Sequence, residues 1–248
     1  TTSGLVTFIT DAGKETTGTR SDCSGYGYKF LGGKCYAFEQ RSIRRMDNFN
    51  TGRSIVSKIV GYFNKVGGYI DSFILGNNNV IEAEKSVVIG NYGLSTTNGQ
   101  IVFSAGKQLG RNQFSIVQFS GQTTDATTTQ LTTVNGDHFY FAYGKRAVYL
   151  VDMTAVAYTT SGSQDGDVYT QQRKYVFSYE TTRNVPKLVA TSSPTELRDA
   201  DPVYAVALSP VTDSSDTFAK DYIKVQVSGE VGQTVEWQVV LQITQLHL

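Results

Sequence analysis

The chain is poor in the residues on which most catalytic and metal sites depend. Its 248 residues include only two histidines, two cysteines, two methionines and one tryptophan. A metal site of the usual His and Cys type needs several such ligands close together, and His138 and His247 are far in sequence from Cys23 and Cys35. We therefore expect no bound metal ion and no other cofactor.

An excess of charge and long apolar runs are absent as well. Lys plus Arg and Asp plus Glu each number 22, so the formal net charge is zero. A general nucleic-acid-binding protein needs a basic surplus, and we expect no nucleic acid as a partner. No apolar run approaches the ~20 residues that cross a bilayer, so we expect no membrane insertion. Residues 1–10 do not resemble a signal peptide, and the chain starts with Thr rather than Met, which favours a fragment or a processed product.

The two cysteines leave two interpretations open. Cys23 and Cys35 would close a small loop as a disulfide in an oxidising medium, which would stabilise the fold by ~2–3 kcal/mol. They could equally be two reduced, packed thiols, because a particle assembled in a cytoplasm does not rely on disulfides. We favour the reduced thiols.

No group of residues points clearly to catalysis. His138 follows an Asn-Gly-Asp turn, and a catalytic or ligand-contacting role is one interpretation; we favour a residue at the edge of that turn, beside an Asp. The chain has no Gly-x-Ser-x-Gly elbow, Cys–His arrangement or phosphate-binding loop. Two acidic pairs fall in turns, where Asp commonly bonds the local backbone; a weak calcium site or paired-acid catalysis are the alternatives. These pairs are Asp165 with Asp167 and Asp199 with Asp201. We expect a binding protein rather than an enzyme.

The residues that are plentiful favour strands and turns. The chain contains 15 Tyr, 13 Phe and 24 Gly but only 4 Pro, and charged residues make up 18%. Such a composition, rich also in Thr, Ser and Val, is typical of all-β proteins. We predict three regions: an irregular segment rich in Gly and aromatic residues over 1–56, a repeat region over 57–112, and an antiparallel β-sandwich or jelly roll over 113–248.

A short repeat lies in the middle of the chain. Ser-Phe-Ile-Leu-Gly ends at Gly76 and Ser-Val-Val-Ile-Gly ends at Gly90, fourteen residues later. A chain that makes one short strand every fourteen residues is coiling, and so thin a coil cannot bury its apolar face alone. We expect the middle apolar residue of each strand, Ile74 or Val88, to face a neighbouring chain and the other two to face inward. The residues predicted to form contacts between copies of the chain are Phe73, Ile74, Leu75, Gly76, Val87, Val88, Ile89 and Gly90.

The repeat resembles a known family. The stretch 79–90, Asn-Val-Ile-Glu-Ala-Glu-Lys-Ser-Val-Val-Ile-Gly, is similar to the fourteen-residue head repeat of trimeric autotransporter adhesins, which also recurs in phage tail fibres. That resemblance implies a left-handed parallel β-roll in a homotrimer. The family usually has small residues where this chain has Glu82 and Glu84.

The C-terminal region carries a second resemblance. The stretch 119–131, the long strands after it and the run 227–237 look like a β-domain of phage tail and fibre proteins. The final strand alternates, which predicts a core face and a solvent face. Its core residues are Val235, Trp237, Val239, Leu241 and Ile243.

Together these features predict a structural receptor-binding module of a homotrimeric phage tail fibre. Such a module attaches the virion to a bacterial surface glycan or outer-surface receptor, contacts other tail proteins and is extracellular. The candidate ligand residues flank one turn: Tyr158, Asp165, Asp167 and Tyr169, with both tyrosines expected to be exposed. A bacterial trimeric adhesin and a glycan-cleaving tailspike are the alternatives.

Overall fold

The protein is all-β, as the sequence predicts, and the described residues contain no α-helix. The computed structural model describes the backbone alone of 5–9, 15–19, 28–31, 34–37 and 49–50, and then residues 58–66, 71–141, 146–163, 165–180, 185–198, 204–212 and 221–247.

Four short strands form a sheet near the N-terminus, within the segment for which the sequence predicts irregular structure. They are β1 (Leu5–Ile9), β2 (Glu15–Thr19), β3 (Tyr28–Leu31) and β4 (Lys34–Ala37). β1 and β2 pair antiparallel, as do β3 and β4, and β1 meets β4 in one parallel pair. Cys23 and the side chain of Cys35 lie outside the described residues, so both interpretations of these cysteines stay open.

The repeat region forms a β-solenoid of about three turns rather than the expected β-roll. Its first sheet is parallel and contains β6 (Lys58–Val60), β8 (Phe73–Asn77), β10 (Val87–Asn91) and β12 (Ile101–Ala105). Its second parallel sheet contains β5 (Phe49–Asn50), β7 (Lys65–Val66), β9 (Val80–Ile81) and β11 (Leu94–Ser95). Val88 lies opposite Ile74 on one side and Val102 on the other, so the fourteen-residue spacing is the rung spacing.

The interior of the solenoid is one side chain deep. Its apolar core consists of Ile59, Val66, Ile74, Ile81, Val88 and Val102. Between them, Asn79 donates its amide to the Gly90 carbonyl at 2.8 Å and accepts the Gly93 backbone N–H at 2.7 Å. Asn64 makes the equivalent bond to the Gly76 carbonyl at 2.7 Å. These buried amides satisfy turn backbone groups that water cannot reach.

The regular spacing of glycine in the repeat has a steric cause in the solenoid. Gly76 and Gly90 adopt φ of +129° and +114°, which only glycine adopts readily. A Cβ at Gly76 would collide with the carbonyl oxygen of Gly90 on the next rung, and one at Gly90 would collide with that of Ser104. The glycines therefore permit the close stacking of rungs.

The first solenoid sheet continues without a break into the antiparallel strands that follow. β12 pairs antiparallel with β13 (Gln113–Thr123), which closes the parallel stack. Next in the chain come β14 (Thr129–Leu131), a 3-10 turn (Val134–Gly136), β15 (Phe139–Tyr140), β16 (Ala147–Ser161), β17 (Val168–Glu180), β18 (Val185–Thr191) and β19 (Thr195–Arg198). The last strands are β20 (Ala205–Val211), β21 (Tyr222–Ser228) and β22 (Thr234–His247).

These strands belong to two sheets that share one core. The main sheet has ten strands in the order β18-β17-β16-β22-β13-β12-β10-β8-β6, with β19 also pairing β17. In the small sheet β21 pairs with β20 along one edge and with β14 and then β15 along the other. Buried residues of both sheets belong to one cluster, so the two sheets share a core.

The large core is rich in aromatic residues. The buried rings include Phe119, Phe139, Phe141, Tyr149, Tyr169, Tyr175, Phe177, Tyr179, Tyr204 and Trp237. The prediction for the last strand is confirmed: Val235, Trp237, Val239, Leu241 and Ile243 are all buried. The Trp237 indole donates to the Thr123 hydroxyl at 2.9 Å, which satisfies its polar N–H inside the core.

Candidate functional site

The apolar triplets of the repeat face opposite to the predicted directions. Ile74 and Val88, the middle residues, are fully buried in the solenoid. The flanking residues face outward, and Leu75 is 44% exposed. The prediction that the middle residue faces a neighbouring chain is therefore wrong. Alternation along a strand allows either the middle residue or the two flanking residues of a triplet to be buried. The structure buries the middle residue, so a single row of branched side chains lies inside the solenoid.

The outward residues form a continuous apolar surface, here called the outer ladder. It consists of Val60, Phe73, Leu75, Val87, Ile89, Ile101 and Phe103. The register aligns them in two rows. Val60, Leu75, Ile89 and Phe103 lie across all four parallel strands, whereas Phe73, Val87 and Ile101 lie across three, with the exposed Lys58 at the corresponding position of β6. Val60, Leu75, Ile101 and Phe103 are each between 36% and 44% exposed, while the others are half-buried by their neighbours.

The outer ladder extends one strand beyond the solenoid and then ends. On β13, Phe114 lies opposite Phe103 with ring centroids 6.2 Å apart, and Ile116 lies opposite Ile101. On the next strand, β22, the same two rows contain Thr244 and Gln242. The apolar surface thus covers the solenoid and its closing strand. This is unusual, because the solvent-facing side chains of a strand are normally polar.

The predicted ligand turn is the tip of the β16–β17 hairpin. Thr159 bonds across it, donating its N–H to the Asp167 carbonyl at 3.0 Å and accepting the Gly166 N–H at 2.9 Å. Tyr158 is 48% exposed and lies opposite Val168, which is 40% exposed. Asp165 is exposed and Asp167 is half-buried. The structure therefore brings Tyr158 and the two carboxylates to one hairpin end.

Tyr169 does not join this group, and the expectation that it is exposed is wrong. Its side chain is fully buried. The ring makes edge contacts with Tyr204 and Trp237 at centroid distances of 5.7 and 6.2 Å, and the hydroxyl donates to Glu196 at 3.2 Å. The pleat explains the difference, because Tyr169 follows Val168 directly and so points to the core face of the sheet.

His138 lies in a cluster of rings that the sequence does not reveal. It stacks on Tyr222 with a centroid distance of 4.4 Å and an interplanar angle of 16°. Tyr140 is 6.4 Å from His138 and 6.2 Å from Tyr222, tilted against both. All three rings are half-buried. The interpretation of His138 as a turn-edge residue beside an Asp therefore missed its ring partners, because Tyr222 is more than eighty residues away in sequence.

Polar contacts fix the position of His138. The Gln130 amide nitrogen is 3.4 and 3.2 Å from its two ring nitrogens. Asp137 accepts the His138 backbone N–H at 2.9 Å and, through its other oxygen, the Asn98 N–H at 2.9 Å, which ties this loop to the solenoid. Burial lowers the pKa of His138 from its ordinary value of 6.5, opposed by the negative charge of Asp137. The imidazole is accordingly neutral at pH 7.

Two further observations, both confined to the described residues, concern metal ions and membranes. Within the described side chains, no three His, Cys, Asp or Glu residues lie close enough together to hold a metal ion. Over the same part of the chain, no helix has the length and apolar character needed to span a bilayer.

Comparisons with known proteins give a distant structural likeness. No protein-family model matches the chain, and no curated protein matches it. The tailspike protein of Acinetobacter baumannii phage AM24 aligns over 81% of this chain at 8% identity and a TM-score of 0.34. The tailspike protein of Acinetobacter phage vB_ApiP_P1 aligns over 81% at 7% identity and a TM-score of 0.22. The alignments cover 49% and 46% of those chains, so this chain spans about half their length. The function proposed next rests on the geometry of the chain itself.

Proposed function

We propose that the chain is a structural receptor-binding module of a homotrimeric phage tail fibre. In this role it is part of the virion tail, contacts other tail proteins and attaches the particle to a bacterial surface glycan. The observation that carries the proposal is the outer ladder, an exposed apolar surface along the whole described solenoid.

A second copy of the chain is the occupant that best fits the outer ladder. The rungs from β8 to β12 repeat every fourteen residues and keep the outward apolar residues in register, so an identical surface can pack against the ladder rung by rung. Among the described residues the apolar core inside the solenoid contains six side chains, so burial between copies would add substantially to its stability. Three copies around one axis close the assembly, as the resemblance to trimeric fibres implies.

Trimerisation would also explain how a weak site can hold a virion. Three sites on one rigid stalk bind a repetitive surface by avidity, which raises apparent affinity by about 10²–10⁴-fold without any new contact. The chain binds rather than cleaves in this proposal.

The test compares the wild type with a variant of the outer ladder. Leu75→Asp places a charge in the centre of the ladder, and Val189→Asp places one at an apolar residue that is 57% exposed on β18, at the opposite edge of the main sheet. We expect Leu75→Asp to lose trimers and to bind host cells about 10²-fold more weakly, while Val189→Asp behaves as the wild type. Equal cell binding by both variants would contradict the proposal.

A separate assay addresses cleavage. Incubation with host capsule or lipopolysaccharide should release no new reducing ends. Release of sugar would contradict the binding proposal and would favour a glycan-cleaving tailspike.

A further inference from the structure

The outer face of the small sheet carries an unusual set of side chains. The pleat directs Leu131, Phe139 and Ile223 into the core, and all three are almost fully buried. The residues beside them on the same strands therefore face outward. These outward residues are Gln130 on β14, Tyr140 on β15, and Tyr222, Lys224 and Gln226 on β21, with His138 just before β15.

The register brings these residues together. Tyr140 lies directly opposite Tyr222, and Gln130 lies directly opposite Gln226. His138 bridges the two pairs, since its ring stacks on Tyr222 while the Gln130 amide is within 3.4 Å of its nitrogens. Aromatic rings and side-chain amides thus form one patch on a sheet face. We call the rings of His138, Tyr140 and Tyr222 the aromatic platform.

The chemistry of the aromatic platform fits a sugar ring. Half-buried rings with nearby amide groups combine an apolar surface with hydrogen-bonding groups, the usual composition of a small-ligand site. A pyranose has the same two-sided character, because its C–H face is apolar and its rim is hydroxylated. A platform without fixed rings would lose conformational entropy on binding, but here Asp137 and the ring contacts already hold His138 in place.

Lys224 favours a ligand that carries a negative charge. It lies two residues from Tyr222 on the same strand face, a separation of about 6.8 Å along a strand. No carboxylate of the described residues forms an ion pair with it. A carboxyl group on a sugar stacked over Tyr222 lies within reach of this ammonium group, whereas Asp137 has both of its oxygens bonded to backbone N–H groups.

The site also suits the proposed trimer. The outer ladder lies on the outer face of the main sheet, and the aromatic platform lies on the outer face of the small sheet, across the shared core. Packing of copies through the ladder would therefore leave the platform open to a ligand.

We propose that the aromatic platform and Lys224 bind an acidic pyranose residue of a bacterial surface polysaccharide. This inference rests on the proposed function and names its receptor class and site. It differs from the hairpin tip at Tyr158 and Asp165, which lies at the other end of long strands.

The test uses an array of bacterial capsular polysaccharides, each printed in native and in carboxyl-reduced form. The full chain should bind native acidic polymers and bind their reduced forms at least about tenfold more weakly. Tyr222→Ala should lower binding by about tenfold or more, while Tyr222→Phe, which keeps the ring stack, should retain it. Lys224→Gln should remove the preference for the native form; Lys174→Gln, on the main sheet, is the charge-matched control.

Circular dichroism and thermal melting establish that each variant is folded. If the wild type binds native polymers and Tyr222→Ala and Lys224→Gln bind equally well, the aromatic platform is not the site and the proposed function survives. Loss of binding in Tyr158→Ala or Asp165→Ala alone would move the site to the hairpin tip. If the wild type binds carboxyl-reduced forms equally, the acidic ligand is wrong. If it binds neither polysaccharides nor cells, the proposed function fails as well.

Discussion

The solenoid and the antiparallel region differ in the depth and composition of their apolar cores. The solenoid core has six described residues, all of them aliphatic, stacked one deep. The antiparallel region buries a broad cluster with ten aromatic rings between two sheets. A single main sheet nevertheless runs through both regions. The difference shows that one continuous sheet can have two kinds of core, because a rung that is one side chain deep leaves its apolar outer face uncovered within the chain.

The largest expected effect separates the two faces of one solenoid strand. Ile74→Asp buries a carboxylate in the apolar interior and should destabilise the solenoid by more than about 3 kcal/mol. Leu75→Asp, the adjacent and exposed position, should cost the dissociated chain only about 0.5 kcal/mol. Chemical denaturation under dissociating conditions measures both. Equal costs would mean that the solenoid does not distinguish inside from outside as described.

The next prediction addresses the antiparallel core. Phe177→Ala removes a fully buried ring that stacks against Tyr175 at 6.1 Å and should cost about 3–5 kcal/mol. Ile74→Val removes one methyl group from the solenoid and should cost about 0.5–1.5 kcal/mol. Denaturant titration of each variant provides the comparison. A smaller cost for Phe177→Ala than for Ile74→Val would overturn the ranking of the two cores.

A third comparison lies within the solenoid turns. Asn79→Ala leaves the buried Gly93 N–H and the Gly90 carbonyl without their side-chain partner, which should cost about 2–4 kcal/mol. Asn77→Ala removes similar but solvent-exposed bonds that the half-buried Asn77 makes with Tyr62 and Asn91, and should cost about 1 kcal/mol. Shifts in the denaturation midpoint report the two costs. If Asn77→Ala proves the costlier, the interior amides do not stabilise the rungs.

The smallest expected effect concerns pH and the aromatic platform. Because the pKa of His138 is lowered in the folded state, the unfolded chain takes up the proton first as pH falls through 6.5. This contribution to stability is present above pH 6.5 and is lost as pH falls toward the folded-state pKa. The denaturation midpoint of the wild type should therefore drop more between pH 7.5 and pH 5.5 than that of His138→Gln. Identical drops would show that the fold does not resist protonation of this ring.

The sequence predicts some of these features well, for reasons that are local. The fourteen-residue spacing identifies the rungs because parallel pairing in register repeats the sequence pattern, and β22 reveals its core face by strict alternation. Which residues of an apolar triplet are buried cannot be predicted from the local sequence, because three adjacent apolar residues can bury either the middle residue or the two flanking ones. The aromatic platform is also hidden from the sequence, since it depends on pairing Tyr140 with Tyr222 across more than eighty residues.

The burial of Tyr169 is another feature that the local sequence does not determine. Its position beside the hairpin turn suggests exposure, but one residue of register decides between solvent and core. Tyr158, on the opposite strand and the opposite face, keeps the exposure that the sequence predicts.

The mass of the protein in solution tests the central claim most directly. Sedimentation equilibrium of the wild type at micromolar concentration should give three times the chain mass of 27.1 kDa, because the outer ladder is covered by other copies of the chain. Leu75→Asp should sediment at the single-chain mass. A wild type that sediments as a stable, fully folded single chain would contradict the account.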